Sequence, residues 1–388
     1  MASRRILVVS SLWPPAVRGG AEAHASALAG HLRARGHEVR ALTFGVPGPD
    51  VVASVPAWPY RADAFASQSR ARRLAFHALD VYRPATRRVM TEAIRTFRPD
   101  VVHSHVVAGL SGSALAVPST MGVAHVHTLH DYWLLCQRSS LTRRDGTACD
   151  VRCVGCRVVT GMRRTLIHRH PPGVVIAVSQ AIADEHRDVS WIAERVRVIA
   201  NPTDPASPVD VPHGSGVVFG YVGRLTVEKG VRTLFAAFSA ARLEGARLLV
   251  AGEGPLRAEL EATATPGVEM LGWLDPSARE RMLTTIDALV VPSEYKDPAP
   301  LVIGEARARR IPVIGARIGG IPELVPRASS ALLFPSGGAA ALAERLTMFA
   351  RAPGTFVDDR DPGDLMNWDH HLDLLERAYD DAMPSSPR

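Results

Sequence analysis

The chain has 388 residues, 46% of them apolar and 22% charged, with four cysteines and a formal net charge of +6. That is a soluble globular balance, and the length suggests two domains rather than one. No run of about 18 apolar residues occurs, so no membrane-spanning helix is expected. The strand-like Ile6–Val9 after Met1-Ala2-Ser3-Arg4-Arg5 is too short for a signal-peptide core, which points to a cytoplasmic protein.

In chain order, Ile6–Val9 leads through a Pro/Gly loop to a helix from about Ala21 to Arg35, closed by Gly36 as a C-cap glycine. Val39–Phe44, Val101–His105, Ala124–Leu129, Val174–Val178 and Val196–Ile199 read as further strands. Around Asn201-Pro202-Thr203-Asp204-Pro205, and on to Gly216, the chain is rich in Pro, Gly and Ser and reads as a linker. The pattern then repeats with Val217–Val222, Arg247–Ala251, Val268–Leu271, Ala288–Val291 and Pro312–Ile314, with helical stretches between nearly all strands. Such alternation implies an α/β fold with two parallel sheets, each covered by helices. The expected domains are residues 1–203 and 204–363. The amphipathic segment 364–388 is free to pack back across either one.

Charge divides along the same line. Residues 1–200 hold 26 Lys and Arg against 14 Asp and Glu, and the remainder holds 19 against 25. Basic clusters stand at Arg70-Ala71-Arg72-Arg73, Arg87-Arg88 and Arg163-Arg164 through Arg169. They suit an anionic membrane surface or acceptor, or are simply solvated faces. Nucleic acid is disfavoured, because aromatics are scarce and no binding module is recognisable.

Only two of the 45 basic residues are lysines, and one, Lys229, lies in Gly223-Arg224-Leu225-Thr226-Val227-Glu228-Lys229-Gly230. This segment joins a strand to a helix start, so Arg224 and Lys229 are placed for an anion, a diphosphate in particular. After the strand Ala288–Val291, Asp297 sits in a loop and Glu305 eight residues on lies within a helix whose first turn holds Pro300. The orphan amides of Leu301 and Val302 would face a phosphate, and a nearby carboxylate suits a ribose diol. Such sites lie beyond the carboxyl ends of parallel strands, and with two facing sheets the expected place is the cleft between domains.

The four cysteines, Cys136, Cys149, Cys153 and Cys156, fall in one window ending in a Cys-x2-Cys knuckle. A structural zinc, an iron–sulfur cluster, or free or paired thiols are the alternatives. His130-Asp131 follows the strand Ala124–Leu129, and His103, His105, His125 and His127 read as packing or cleft-wall residues.

Taken together, Gly223-Arg224 with Lys229-Gly230 and the pair Asp297 and Glu305 resemble the donor site of GT-B nucleotide-sugar glycosyltransferases, closest to family 4. Gly252-Glu253-Gly254-Pro255, Gly319-Gly320-Ile321-Pro322-Glu323-Leu324-Val325 and the Gly19-Gly20-Ala21-Glu22 loop extend the resemblance over nearly the whole chain. It implies two Rossmann-like domains, the first binding acceptor and the second donor. It also implies a retaining, front-face transfer of sugar from a nucleotide-diphosphate sugar, without a catalytic metal. By the same carry-over Arg224 and Lys229 hold the diphosphate, with Gly19, Gly20 and Gly223 in the donor-binding loops. Glu305 holds the ribose, Asp297 contacts sugar hydroxyls and His130 touches the donor sugar. The chain departs from the pattern in having Asp297 for the commoner Glu and Ala299-Pro300 for Phe-Gly, which leaves sugar identity open. The alternatives are a nucleotide-sugar 2-epimerase of similar shape or a non-catalytic sugar-nucleotide-binding protein. Some members of the family resemble the His-Asp-Tyr-Trp stretch with its clustered cysteines, which supports a local structural loop near the acceptor side. From the basic clusters, peripheral contact at an inner membrane surface is a further expectation.

Overall fold

The computed structural model describes residues 3–16, 19–45, 47–48, 50–59, 68–143, 145–149, 151–206, 216–357 and 365–383. Much of the expected linker (207–215) lies outside them. Twelve strands are described: β1 (Arg5–Val9), β2 (Glu38–Phe44), β3 (Val51–Val55), β4 (Val101–Ser104), β5 (Ala124–Leu129), β6 (Val174–Ala177), β7 (Val196–Val198), β8 (Val218–Val222), β9 (Arg247–Ala251), β10 (Val268–Gly272), β11 (Ala288–Val291) and β12 (Val313–Gly315). They form two wholly parallel sheets with helices between nearly all successive strands of each sheet, β2 and β3 excepted, the α/β class that the alternation implied.

The first sheet has the order β3-β2-β1-β4-β5-β6-β7. Its central strands are buried on both faces, which is why they read as unbroken apolar runs rather than alternating ones. β3 is an addition to the sequence reading. It is an edge strand only partly buried, so it lacks the continuous apolar signal of the others. The helix Gly20–Ala34 buries Ala25, Leu28, Ala29 and Leu32, one stripe at helical spacing, against Ile6 and Val8.

The chain divides into two compact units. The first comprises Met1–Ser140, Val151–Asn201 and Trp368–Arg388, the second Leu141–Asp150 and Pro202–Asn367. The C-terminal helix Trp368–Asp381 therefore belongs to the first unit, where Leu372, Leu375, Ala378 and Tyr379 enter its core. Arg35 reaches across to Asp373 at 2.7 Å, and buried His37 meets buried Glu376 at 3.1 Å. The second unit's sheet has the order β10-β9-β8-β11-β12.

Candidate active site

In the second unit, β8 has β9 on one side and β11 on the other. The order reverses there, and the crevice beyond the carboxyl ends of β8 and β11 is a topological switch point. The loops that carry the sequence motifs leave that edge: residues 223–230 after β8, 252–254 after β9, 292–300 after β11 and 316–320 after β12.

Lys229 closes a 3-10 turn, Val227–Lys229, that stops on Gly230 in the left-handed region at φ +70°. A Cβ on Gly230 would lie 1.8 Å from the carbonyl oxygen of Pro292, so glycine alone lets the β8 loop press against the β11 loop. Glu294 N–H donates to Glu228 O across this contact at 2.9 Å. The result places Lys229 Nζ 2.6 Å from Asp297 Oδ2 and 3.2 Å from Tyr295 Oη, and 5.0 Å from the centre of the Tyr295 ring. Asp297 is 4% exposed and also accepts from Ser293 Oγ at 3.2 Å. Burial, with the Asp297 charge beside it, pushes the Tyr295 phenol well above its usual range, so it stays protonated. Gly319, at φ +57°, clasps this loop: its own Cβ would sit 2.4 Å from Asp297 O, and Gly320 N–H donates to the same oxygen at 2.8 Å.

Arg224 is held at its backbone and only loosely engaged at its tip. Tyr221 Oη donates to Arg224 O at 2.7 Å. A Cβ on Gly252 would meet Gly223 O at 1.8 Å, which keeps the β8 and β9 loops in backbone contact. The Arg224 guanidinium is 54% exposed and pairs loosely with Glu228 at 3.4 Å. Leu301 and Val302 open the helix Leu301–Ala308 without a side-chain cap, so first-turn amides are left for other acceptors. Glu305 lies one turn in and pairs with Arg279 of the helix Pro276–Leu283. Burial pushes its carboxyl up, and Arg279 and Arg309 pull it back toward the charged form.

Of the second-unit candidates, the structure joins Lys229 and Asp297 directly, whereas Arg224 and Glu305 face other partners. Tyr295, Ser293 and Arg279 are absent from the sequence reading. Tyr295 and Ser293 were findable as polar neighbours of Asp297 in one loop. Arg279 comes from another helix and leaves no local signal.

In the first unit, Gly19 caps the helix Gly20–Ala34 in ordinary extended geometry. His130 Nε2 lies 3.0 Å from His105 Nδ1, and burial holds the His130 imidazole down to about 3, hence neutral. Burial also lifts the Asp131 carboxyl to about 7, opposed by the Trp133 N–H it accepts at 2.8 Å. The following loop is stapled by a buried ion pair, Arg163 to Asp80 at 2.5 Å. Trp133 Nε1 donates to the same carboxylate at 2.7 Å, and Arg163 to Trp133 O at 2.8 Å.

Three of the four cysteines belong to the first unit, and Cys149 belongs to the second unit's segment Leu141–Asp150. Cys153 caps the helix Val154–His168, its sulfur accepting from Cys156 N–H at 3.4 Å, which lowers its pKa. Burial pushes the Cys156 thiol up to about 11. Among the described residues the three sulfurs of Cys136, Cys153 and Cys156 are not gathered within 4.8 Å of one another. The group that meets that limit is His24, His105 and His130.

Two family models cover most of the chain: "Glycosyltransferase Family 4" matches residues 18–207 and "Glycosyl transferases group 1" residues 216–351. The chain belongs to glycosyltransferase family 4. This glycosyltransferase is 30% identical to the glycogen synthase of Mycobacterium tuberculosis over 83% of its own length and 80% of that protein's. Its fold matches sucrose-phosphate synthase from Thermosynechococcus elongatus (TM-score 0.72, 20% identity, 97% and 98% of the two chains). It also matches Anabaena HepE, solved with UDP and glucose (TM-score 0.69, 18% identity, 96% and 99%). The fold is GT-B, and the protein is a transferase. Among the described residues no helix is long and apolar enough to cross a membrane.

Proposed function

We propose that this glycosyltransferase moves a sugar from a nucleotide-diphosphate sugar to an acceptor hydroxyl with retention of configuration. The observation that carries the reading is the Lys229–Asp297 contact at the switch point of the second sheet. An ammonium has three protons. Asp297 and Tyr295 orient two and leave one for the donor's pyrophosphate. The exposed Arg224 adds a planar fork to the same anion. Glu305, whose carboxyl burial pushes up against the opposing pull of Arg279, accepts from the ribose hydroxyls. Asp297 has lone pairs left for a sugar hydroxyl, and His130 supplies a neutral imidazole assigned to another. Backbone amides of Gly19, Gly20, Gly223, Leu301 and Val302 complete the donor-binding set.

In the transfer step the bond from the anomeric carbon to the phosphate oxygen breaks, and the acceptor oxygen bonds to the same face. The acceptor proton passes to the departing phosphate oxygen, whose growing charge Arg224 and Lys229 stabilise. The Anabaena neighbour, solved with UDP and glucose, supports a nucleotide-linked donor. The basic first half fits an anionic acceptor or a peripheral site at an inner membrane surface, and the protein is assigned to the cytoplasm.

A structural zinc on Cys136, Cys149, Cys153 and Cys156 requires the sulfurs to close up and the raised Cys156 thiol to lose its proton. The proposal fails if purified protein carries no cysteine-dependent metal and all four thiols label readily. For the donor, thermal shifts against UDP-, GDP-, ADP- and dTDP-sugars are decisive, because a bound donor raises stability by mass action. One of these classes is expected to raise the melting temperature in wild type and not in Lys229→Ala. A shift that survives the substitution refutes the phosphate role.

A further inference from the structure

We propose that His24, His105 and His130 form a binding site for a divalent late transition-metal ion, Zn2+ in the first instance, with a fourth position open to water. Each residue offers one ring nitrogen, and these atoms all lie within 4.8 Å of one another. The His105–His130 separation of 3.0 Å is close to the edge, about 3.4 Å, of a tetrahedron with Zn–N bonds of about 2.0–2.1 Å.

The three side chains come from elements that the first sheet's topology forces together. His24 lies in the first turns of the helix Gly20–Ala34 that follows β1, His105 directly after β4, and His130 directly after β5. Because β4 lies between β1 and β5 in the sheet, their carboxyl ends converge on one spot. No sequence spacing reveals this, since the three residues are scattered over more than a quarter of the chain.

Three features separate this cluster from histidines that merely pack. His105 is 2% exposed, and its Nε2 is buried without a hydrogen-bond partner. If Nδ1 donates to His130, the orphan atom is a lone pair; if Nδ1 accepts, the orphan is an N–H. Ligation through Nδ1, the atom at the 3.0 Å contact, keeps the ring proton on Nε2, so the orphan marks a pocket short of polar partners rather than the ligating atom. Second, His103 alongside is fully used, bonded to Tyr379 Oη at 2.9 Å and Thr128 Oγ1 at 2.8 Å. His125 and His127 bond Ser104 Oγ at 2.9 and 3.0 Å, although His125 Nδ1 is also buried without a hydrogen-bond partner. Third, the cluster has a supporting wall. Trp368 lies parallel to the His24 ring at 5.9 Å, and His371 meets it edge-on at 5.5 Å. An all-imidazole set suits zinc, copper or nickel over the hard, oxygen-seeking cations.

A bound ion would tie the helix Gly20–Ala34 to β4 and β5. It would also engage His130, so excess Zn2+ is expected to oppose the sugar contact assigned to that residue.

The test titrates the metal-free, full-length protein with Co2+ as a spectroscopic stand-in for Zn2+, then displaces it with Zn2+. In Cys153→Ser/Cys156→Ser, which removes the proposed cysteine site, one Co2+ per chain is expected with a four-coordinate d–d spectrum that lacks thiolate-to-cobalt charge transfer. His24→Gln and His105→Gln should each weaken binding tenfold or more. Should a buried histidine variant fail to fold, the spectrum of the double cysteine variant alone still decides. The proposal is overturned if the double cysteine variant shows no d–d bands, or if both folded histidine variants, made in that background, bind normally. The readout is metal binding, so its failure leaves the proposed transfer reaction untouched.

Discussion

Lys229 Nζ and Asp297 Oδ2 stand 2.6 Å apart, although 68 residues separate them in the chain. The carboxylate is almost fully enclosed, while the ammonium keeps an exposed fraction of 20%, enough to meet a ligand. Breaking such a pair leaves a buried charge uncompensated. Lys229→Ala is expected to cost about 1–3 kcal/mol of stability in addition to donor binding. A cycle with Asp297→Asn should show a coupling above about 0.5 kcal/mol in thermal denaturation. Additive effects would mean that the pair is incidental.

Arg224 makes the opposite prediction. Its guanidinium is exposed and loosely paired, so Arg224→Ala should leave stability within about 0.5 kcal/mol of wild type. Steady-state kinetics should nevertheless show kcat/KM for the donor falling at least about tenfold, equivalent to about 1.4 kcal/mol. Unchanged kcat/KM removes Arg224 from the site.

Gly230→Ala tests the loop geometry. The new methyl would have to occupy a positive φ and displace the Pro292 carbonyl at 1.8 Å. A loss of about 1–3 kcal/mol is expected, with weakened donor binding, because the turn aims Lys229. Wild-type melting behaviour would show that the β8 and β11 loops are not locked together.

The pH dependence follows from histidines kept neutral inside the first unit. Burial lowers His125 and His127 to about 3 and His186 to about 4. A group whose folded pKa is depressed contributes stability present above its unfolded pKa, here about 6.5, and lost as pH falls toward the folded value. Stability should therefore be flat near pH 7.5 and decline from about 6.5 toward 4, each such histidine adding up to about 1.4 kcal/mol per pH unit. Denaturant melts from pH 7.5 to 4.5 measure this, and a flat profile would show that these histidines are hydrated.

The strand pattern was legible because β-branched apolar runs buried on both faces need no partner to be recognised. β3 escaped because an edge strand mixes polar and apolar positions. Gly230, Gly252 and Gly319 sit in motif segments visible in the sequence, and each proves to be where one backbone presses on another. The partners themselves were not legible. The sequence offers Glu305 as a helix carboxylate for a ribose, and only the fold shows Arg279 of the preceding helix paired with it.

By itself the sequence determined the α/β class, the alternation of strands and helices, and the loops that carry charge, since periodicity and turn chemistry are local properties of the chain. Only the tertiary structure decided who meets whom. Strand order β10-β9-β8-β11-β12 brings Lys229 onto Asp297, and β1-β4-β5 adjacency gathers His24, His105 and His130. Contacts of that kind depend on how strands are permuted in a sheet. Permutation is settled by burying the whole core at once, and no short window of residues encodes it.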